Sequence, residues 1–329
     1  MNTSIKKTAL VTGITGQDGA YLANFLLGKG YKVYGMLSRR ANQSFENLEW
    51  LDIKDKVSLI YGDLTDQASI QNAIQISQPD EFYNLAAMSF VGSSWVEPVH
   101  TSQVNAIGVL NCLEAIKTIK GDVRMYQAST SEMYGLQQNE DGFRDENTPL
   151  IPRSPYGVAK LFGHQMTRNY RESYDMFCCS GILFNHESPL RGLEFVTRKI
   201  TDGVAKIVTG KEDFITLGNL DAYRDWGFAG DYVEAMWLML QQDTPEDFVI
   251  ATGETYSIHE FLQKTFEQVG IEDYEKYVKQ DERYMRPAEL HVLKGNPAKA
   301  INKLGWKVKT DIDSLIKMMV DADVKRQRV

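Results

Sequence analysis

Apolar and polar positions alternate along this chain in two rhythms, one of period two or continuous and one helical. Thr8–Thr12 is a short apolar, β-branched run that meets Gly13, the pattern of a buried strand. Leu22, Phe25 and Leu26 then recur at helical spacing as far as Gly28-Lys29-Gly30, where glycines can end a helix. Lys32–Leu37 predicts a second strand, and residues 57–61, 81–85 and 124–128 predict three more. Helical patterns over residues 67–76 and 104–119 lie between them. A helix over 156–174 and a strand over 177–184 extend the series. Strands alternating with helices require parallel crossovers, so the fold class is α/β with a doubly wound parallel sheet.

After residue 185 the alternation loosens. Residues 231–240 form a strongly apolar helical run and 247–251 a short strand, while 257–269 and 311–319 have the pattern of amphipathic surface helices. At 329 residues the chain exceeds the usual single-domain size. The expected organisation is a nucleotide-binding domain over residues 1–185, rejoined by about 220–255, with a smaller α/β substrate-binding lobe from 186–219 and 256–329. A net charge of -8 argues against a nucleic-acid partner while leaving room for a local basic pocket. Three cysteines, Cys112, Cys178 and Cys179, lack metal-ligand spacing and are expected to be reduced core thiols, so no metal is predicted. The polar start of the chain, without a signal-like apolar stretch or a membrane span, predicts a cytoplasmic protein with no membrane partner.

Candidate chemistry concentrates at strand ends. Gly13-Ile14-Thr15-Gly16-Gln17-Asp18-Gly19 joins the first strand to the first helix. Glycines there tighten the turn and admit a pyrophosphate, and the helix amino terminus offers free N–H groups, as in Rossmann-type sheets. The second strand is followed by Ser38-Arg39-Arg40 rather than by an acid, which predicts NADP: paired arginines suit a 2′-phosphate. Asp63 and Leu64, after the third strand, are expected at the adenine, and residues 85–89, among them Leu85, Ala86, Ala87 and Ser89, along the other side of the cofactor.

Tyr156 and Lys160 stand four apart, on one helix face. A tyrosine of pKa about 10 needs a nearby cation to serve as a base, and such a cation lowers it by roughly 1–3 units. Lys160 is also expected to hold the nicotinamide ribose. Thr130 and Glu132 follow the fifth strand; in extended geometry their side chains point the same way. A carboxylate added to the hydroxyl donor predicts a second proton to move.

These residues carry a close resemblance, over essentially the whole chain, to the GDP-mannose 4,6-dehydratases of the extended short-chain dehydrogenase/reductase class. The segment from Gly181 to Pro189, containing Phe184-Asn185-His186-Glu187-Ser188, and Arg224-Asp225-Trp226-Gly227 carry it most specifically. The resemblance implies a lyase that converts GDP-mannose to GDP-4-keto-6-deoxymannose, a step of nucleotide-sugar metabolism toward deoxyhexoses. It implies that Tyr156 takes the 4-hydroxyl proton, that Thr130 hydrogen-bonds the 4-oxygen, and that Glu132 moves a proton from carbon 5 to the departing 6-hydroxyl. By the same route Ser89, Glu132, Asn185, Arg191, Lys199, Arg224, Arg286 and Glu289 contact substrate, and His186 and Arg191 contact cofactor. A homodimer or homotetramer is implied as well. Met88, Ala41-Asn42, Tyr223 and His291 depart from the family pattern and bear on sugar preference and assembly. The alternatives are the same reaction on a GDP-manno-heptose, a GDP-sugar epimerase or reductase, and a non-catalytic NADP-binding sensor.

Overall fold

The computed structural model describes residues 6–39, 42–284 and 288–328. Its central sheet has seven strands: β1 (Thr8–Thr12), β2 (Lys32–Leu37), β3 (Ser58–Tyr61), β4 (Glu81–Asn84), β5 (Arg124–Thr130), β6 (Cys178–Leu183) and β11 (Phe248–Ile250). They lie in the order β11-β6-β5-β4-β1-β2-β3 and every neighbouring pair is parallel. The doubly wound sheet expected from the alternation is therefore present. Leu10, Phe82, Met125 and Cys178 face one side of it, whereas Ala9, Val11, Tyr83, Tyr126 and Cys179 face the other. Central strands buried on both faces explain why they read as continuous apolar runs.

Helix α1 (Gln17–Gly28) covers one face together with α8 (Ala229–Leu240), and Trp306 seals that layer by donating its indole N–H to the Asp231 carbonyl at 2.8 Å. The short α2 (Glu46–Trp50) follows β2. The opposite face holds α3 (Gln67–Ser77) and α5 (Gly108–Ile119), with α6 (Pro155–Tyr174) beside α5. The helix expected over 104–119 begins earlier: α4 (Pro98–Ser102) runs through a π-helical stretch, Gln103–Ile107, into α5. Asn105, within that stretch, accepts from the Met88 N–H and donates to the Met88 carbonyl, both at 2.9 Å, and so fixes the loop after β4.

A second core is formed by α7 (Val196–Val208), α9 (Ile258–Glu267) and α10 (Ile312–Gln327) around Ile200, Trp226, Phe261, Phe266 and Leu315. Short strands accompany it: β7 (Asn185–Glu187) with β10 (Trp226–Phe228), β8 (Ile215–Leu217) with β13 (Val278–Gln280), and β9 (Tyr223–Arg224) between β12 (Tyr256–Ser257) and β14 (Val292–Leu293). The helix expected over 311–319 is longer, capped by the Asp311 carboxylate and continuing to Gln327. All three cysteines are buried free thiols. Among the described residues, no helix is long and apolar enough to cross a membrane.

Candidate functional site at the switch between β1 and β4

The chain leaves β1 toward β2 and leaves β4 toward β5, so a crevice opens beyond the carboxyl ends of these two neighbours. Gly13 turns the chain there at φ 67°, and a Cβ on it would stand 2.9 Å from the Ala86 Cα. Glycine lets the turn after β1 lie directly against the loop after β4. Gly19 is tighter still: its Cβ would meet the Gly13 carbonyl oxygen at 2.3 Å. Gly16 is the N-cap of α1 and brings no side-chain cap. The leading N–H groups and partial positive charge of a twelve-residue helix are thus left for an anion.

A cavity of about 470 Å³ runs from this turn across the sheet end. Gly13, Thr15, Gly16, Gln17, Asp18 and Gly19 line it on one side. Asp63, Leu64, Leu85, Ala86, Ala87 and Ser89 line the loops after β3 and β4, and Asn185, His186, Arg191 and Arg224 form the far wall. Thr130, Glu132, Tyr156 and Lys160 close the end of it. Arg39, Lys199 and Glu289 do not line the cavity. Arg39 is exposed, its guanidinium 5.0 Å from the centre of the Tyr61 ring. Arg40 and Arg286 lie outside the described residues. Ser38, the first residue of the run that predicts NADP, lines the cavity, as do Gln43, Ser129, His100 and Phe195, which were not singled out in the sequence. Ser129 could have been found from its place at the end of β5, whereas nothing local marks Gln43 or His100.

The expected geometry of Thr130 and Glu132 needs correction. Thr130 is the last residue of β5, but Ser131–Tyr134 is a 3₁₀ turn, and the Thr130 hydroxyl accepts from the Glu132 N–H at 3.3 Å. Strand alternation therefore does not align the two side chains; a turn brings both to the cavity. Tyr156 and Lys160 sit in the first turns of α6, whose N-cap Ser154 accepts from the Gly157 N–H at 3.0 Å and whose first residue is Pro155.

The electrostatics of the Tyr–Lys pair also differ from expectation. Burial pushes the Tyr156 phenol up to about 12, outweighing a hydrogen bond with Thr130 that favours the phenolate, and Glu132 adds to the rise. Lys160 does not supply the lowering charge. Its Nζ donates to the Ala128 carbonyl at 2.5 Å, and burial brings its own pKa down to about 8. Desolvation penalises both charged forms in the same pocket.

On the far wall His186 Nδ1 lies 2.7 Å from the Phe184 carbonyl oxygen, and Nε2 lies 2.7 Å from Asp18 Oδ2. A carbonyl only accepts, so Nδ1 carries a proton; an ionised Asp18 then needs a second proton on Nε2. Burial opposes that charge, but the Asp18 carboxylate outweighs it and holds His186 above its ordinary value. Asp18 is correspondingly lowered despite its burial. Gln17 ties the pair down, donating to Asp18 Oδ1 and to the His186 carbonyl, both at 3.0 Å. Arg191 ion-pairs with Glu187 at 3.0 Å and lies 3.6 Å from the Phe195 ring centre. Arg224 pairs with Glu289 at 2.9 Å while donating to the carbonyls of Tyr223 and Leu290, so Glu289 stands behind the cavity-lining arginine. Lys199 is lowered by partial burial.

The sequence model of the family described as GDP-mannose 4,6 dehydratase matches residues 10–319. GDP-mannose 4,6 dehydratase 2 of Arabidopsis thaliana is 48% identical over 337 residues, covering 98% of this chain and 89% of the plant protein. The Homo sapiens GDP-mannose 4,6 dehydratase is 47% identical over 98% of this chain and 93% of its own length, and that of Vibrio cholerae 46% over 98% and 95%. Among solved structures, Thermus thermophilus UDP-glucose 4-epimerase in complex with NAD superimposes with a TM-score of 0.84 at 26% identity, covering 96% of this chain and 98% of that one. A dTDP-glucose 4,6-dehydratase from Bacillus anthracis shares the fold with a TM-score of 0.85 at 20% identity, over 98% of each chain. With a family model spanning nearly its full length and relatives almost half identical, the chain belongs to the GDP-mannose 4,6-dehydratase family.

Proposed function

We propose that this protein dehydrates GDP-mannose to GDP-4-keto-6-deoxymannose with a tightly held NADP. The observation that carries the reading is the convergence of Thr130, Glu132, Tyr156 and Lys160 on the cavity that begins at the glycine turn. The residues fit a dinucleotide: an uncapped helix amino terminus for the pyrophosphate, Asp63 and Leu64 at one end, and Lys160 and His186 toward the other. Bound there, a nicotinamide would supply reversible hydride storage between carbon 4 and carbon 6. Ser38, Arg39 and Arg40, with no acid after β2, support NADP over NAD.

The chain's own residues move the protons. Tyr156 takes the 4-hydroxyl proton in its phenolate form as the 4-ketone develops; burial works against that form, and the hydrogen bond with Thr130 favours it. Thr130, already hydrogen-bonded to the phenol, steadies the 4-oxygen. The ketone acidifies carbon 5, and Glu132 removes that proton and delivers one to the 6-hydroxyl, which leaves as water; a proton then returns to carbon 5 as hydride reaches carbon 6, balancing the one that Tyr156 took. Arg191, Arg224 and Asn185 hold the nucleotide diphosphate end, with Glu289 fixing Arg224. Arg286 and Lys199 complete the substrate set in this reading.

Trp95, Val96, Val99, Ile107, Val158 and Phe162 are exposed along α4–α6 and the loop before them. They support self-association into a dimer or tetramer, which light scattering checks. The decisive experiment incubates the protein with GDP-mannose and catalytic NADP⁺ and follows the nucleotide sugar by mass spectrometry. Loss of one water with total NADP(H) unchanged is expected, and Glu132→Gln should bind NADP⁺ normally yet release no water. GDP-mannose returned intact by the wild-type protein would overturn the substrate; turnover by Glu132→Gln would overturn the role of the carboxylate.

A further inference from the structure

The wall that carries Arg191 is held from outside the cavity. Arg198, in α7 and 7% exposed, turns its guanidinium in two directions. Its Nη1 donates to the carbonyl oxygens of Pro189 and Arg191, both at 2.8 Å. Its Nε and Nη2 meet the Asp323 carboxylate at 2.8 Å. Asp323, fully buried in α10, also accepts from the Thr201 hydroxyl at 2.7 Å and from Arg326 Nη1 at 2.9 Å. Arg326 in turn lies 4.0 Å from the Trp50 ring centre and 4.0 Å from Glu46, both in α2. Asn47, from the same short helix, donates to the Thr15 carbonyl in the glycine turn at 2.9 Å.

The cluster therefore touches both walls: residues 188–191 through Arg198, and the glycine turn through α2. A guanidinium is planar, with its donors in a fixed fork, so a carboxylate on one edge fixes where the opposite edge points. Here that opposite edge meets two backbone oxygens flanking Leu190. Packing alone would be served as well by apolar side chains at positions 198 and 323, and desolvating a charged pair is costly. What apolar residues could not do is hold two carbonyls at a set height.

We propose that Arg198 and Asp323 are positioning residues for the cavity, setting the path of residues 188–191 and with it the reach of Arg191. Neither lines the cavity, and both act through the backbone of the segment that does. The proposal rests on the reading of Arg191 as a ligand contact. It assigns the C-terminal helix, which belongs to the second core, a part in the affinity of the site.

The test compares full-length Arg198→Lys, Asp323→Asn and Arg191→Ala with the wild-type protein. It reads the NADP⁺ dissociation constant, and kcat and KM for GDP-mannose, at a temperature well below each variant's measured Tm. Lysine keeps the charge but lacks the planar fork that meets a carboxylate on one edge and two carbonyls on the other. Arg198→Lys and Asp323→Asn should raise the dissociation constant or the KM about tenfold, the scale of one charge-assisted hydrogen bond, with a much smaller change in kcat. Arg191→Ala should do at least as much, and adding Arg198→Lys to it should bring little further loss, because the two share one path. If Asp323→Asn does not fold, Arg198→Lys carries the decision. A lowered Tm with unchanged affinity and KM would make the pair merely structural and overturn the proposal. If Arg191→Ala weakens binding and Arg198→Lys does not, the brace alone is wrong. If Arg191→Ala changes neither constant, the reading of Arg191 falls and the proposal with it.

Discussion

Replacing Gly19 by alanine tests how tightly the first helix is seated on the cofactor turn. The new Cβ would stand 2.3 Å from the Gly13 carbonyl oxygen, 2.6 Å from the Ile14 Cα and 2.9 Å from the Gly13 carbonyl carbon. All three are backbone atoms, so no side chain can swing aside. Ordinary contact needs about 3.5 Å, so the helix start must retreat by roughly 1 Å. Overpacking of this kind costs about 1–3 kcal/mol, and contact with backbone belongs at the upper end. Alanine recovers up to ~1 kcal/mol of helix propensity, leaving a net loss of about 2 kcal/mol. For a chain of 329 residues that corresponds to a Tm lowered by about 3 °C. The same retreat moves the N–H groups of α1 away from a pyrophosphate, and misplacement by ~1 Å can cost on the order of 10²-fold. Gly28→Ala is the matched control: it ends the same helix, and its Cβ would meet nothing within 4 Å. Calorimetry and an NADP⁺ titration on both variants give the answer. If Gly19→Ala melts and binds like Gly28→Ala, the close seating of helix on turn is refuted.

Two further expectations concern charge and thiols. The Asp18–His186 pair should stabilise the fold over a defined pH window: the raised His186 contributes fully below its ordinary 6.5 and loses this as pH rises through its folded value. The lowered Asp18 contributes above its ordinary 3.8 and loses this as pH falls further. The urea-derived stability difference between wild type and Asp18→Asn should therefore be largest between about pH 4 and 6.5 and shrink on the alkaline side; a difference flat to pH 9 would contradict the pairing. Burial raises all three thiols, Cys178 to about 12, so a thiol reagent at pH 8 should titrate none in the native protein and three in denaturant. Rapid reaction of any one in the native state would contradict its burial.

The main sheet was legible because its central strands are buried on both faces. Thr8–Thr12 and Lys32–Leu37 were bounded correctly by their apolar runs and flanking glycines. The glycine turn and the Tyr156–Lys160 helix were legible because short spacing fixes their geometry. Helix α7 was passed over although Val196, Ile200, Val204 and Ile207 recur at helical spacing; what its period could not show is that Thr197, Arg198, Thr201 and Asp202 are buried as well. Those polar residues include the ones that hold the cavity wall. The short strands β7, β9 and β10 exist only through their partners, far away in sequence, and two or three residues carry no period. Glu132 was identified by chemistry but misplaced by geometry, since nothing in Ser131-Glu132-Met133 announces a 3₁₀ turn in place of continued strand. The direction of the Tyr156 shift depended on how deeply α6 is buried, which spacing alone does not reveal.

The outer strand of the sheet, β11, is made from residues 248–250, whereas its neighbour β6 ends at Leu183. On a ribosome adding ~5–20 residues per second, several seconds separate the emergence of the two. Throughout that interval β6 presents an open, largely apolar edge, the kind of surface that pairs with other nascent chains. A protein whose last sheet strand arrives late owes its yield in a cell to what shields that edge during synthesis. Truncations ending between β6 and β11 are thus the versions of this chain most exposed to aggregation.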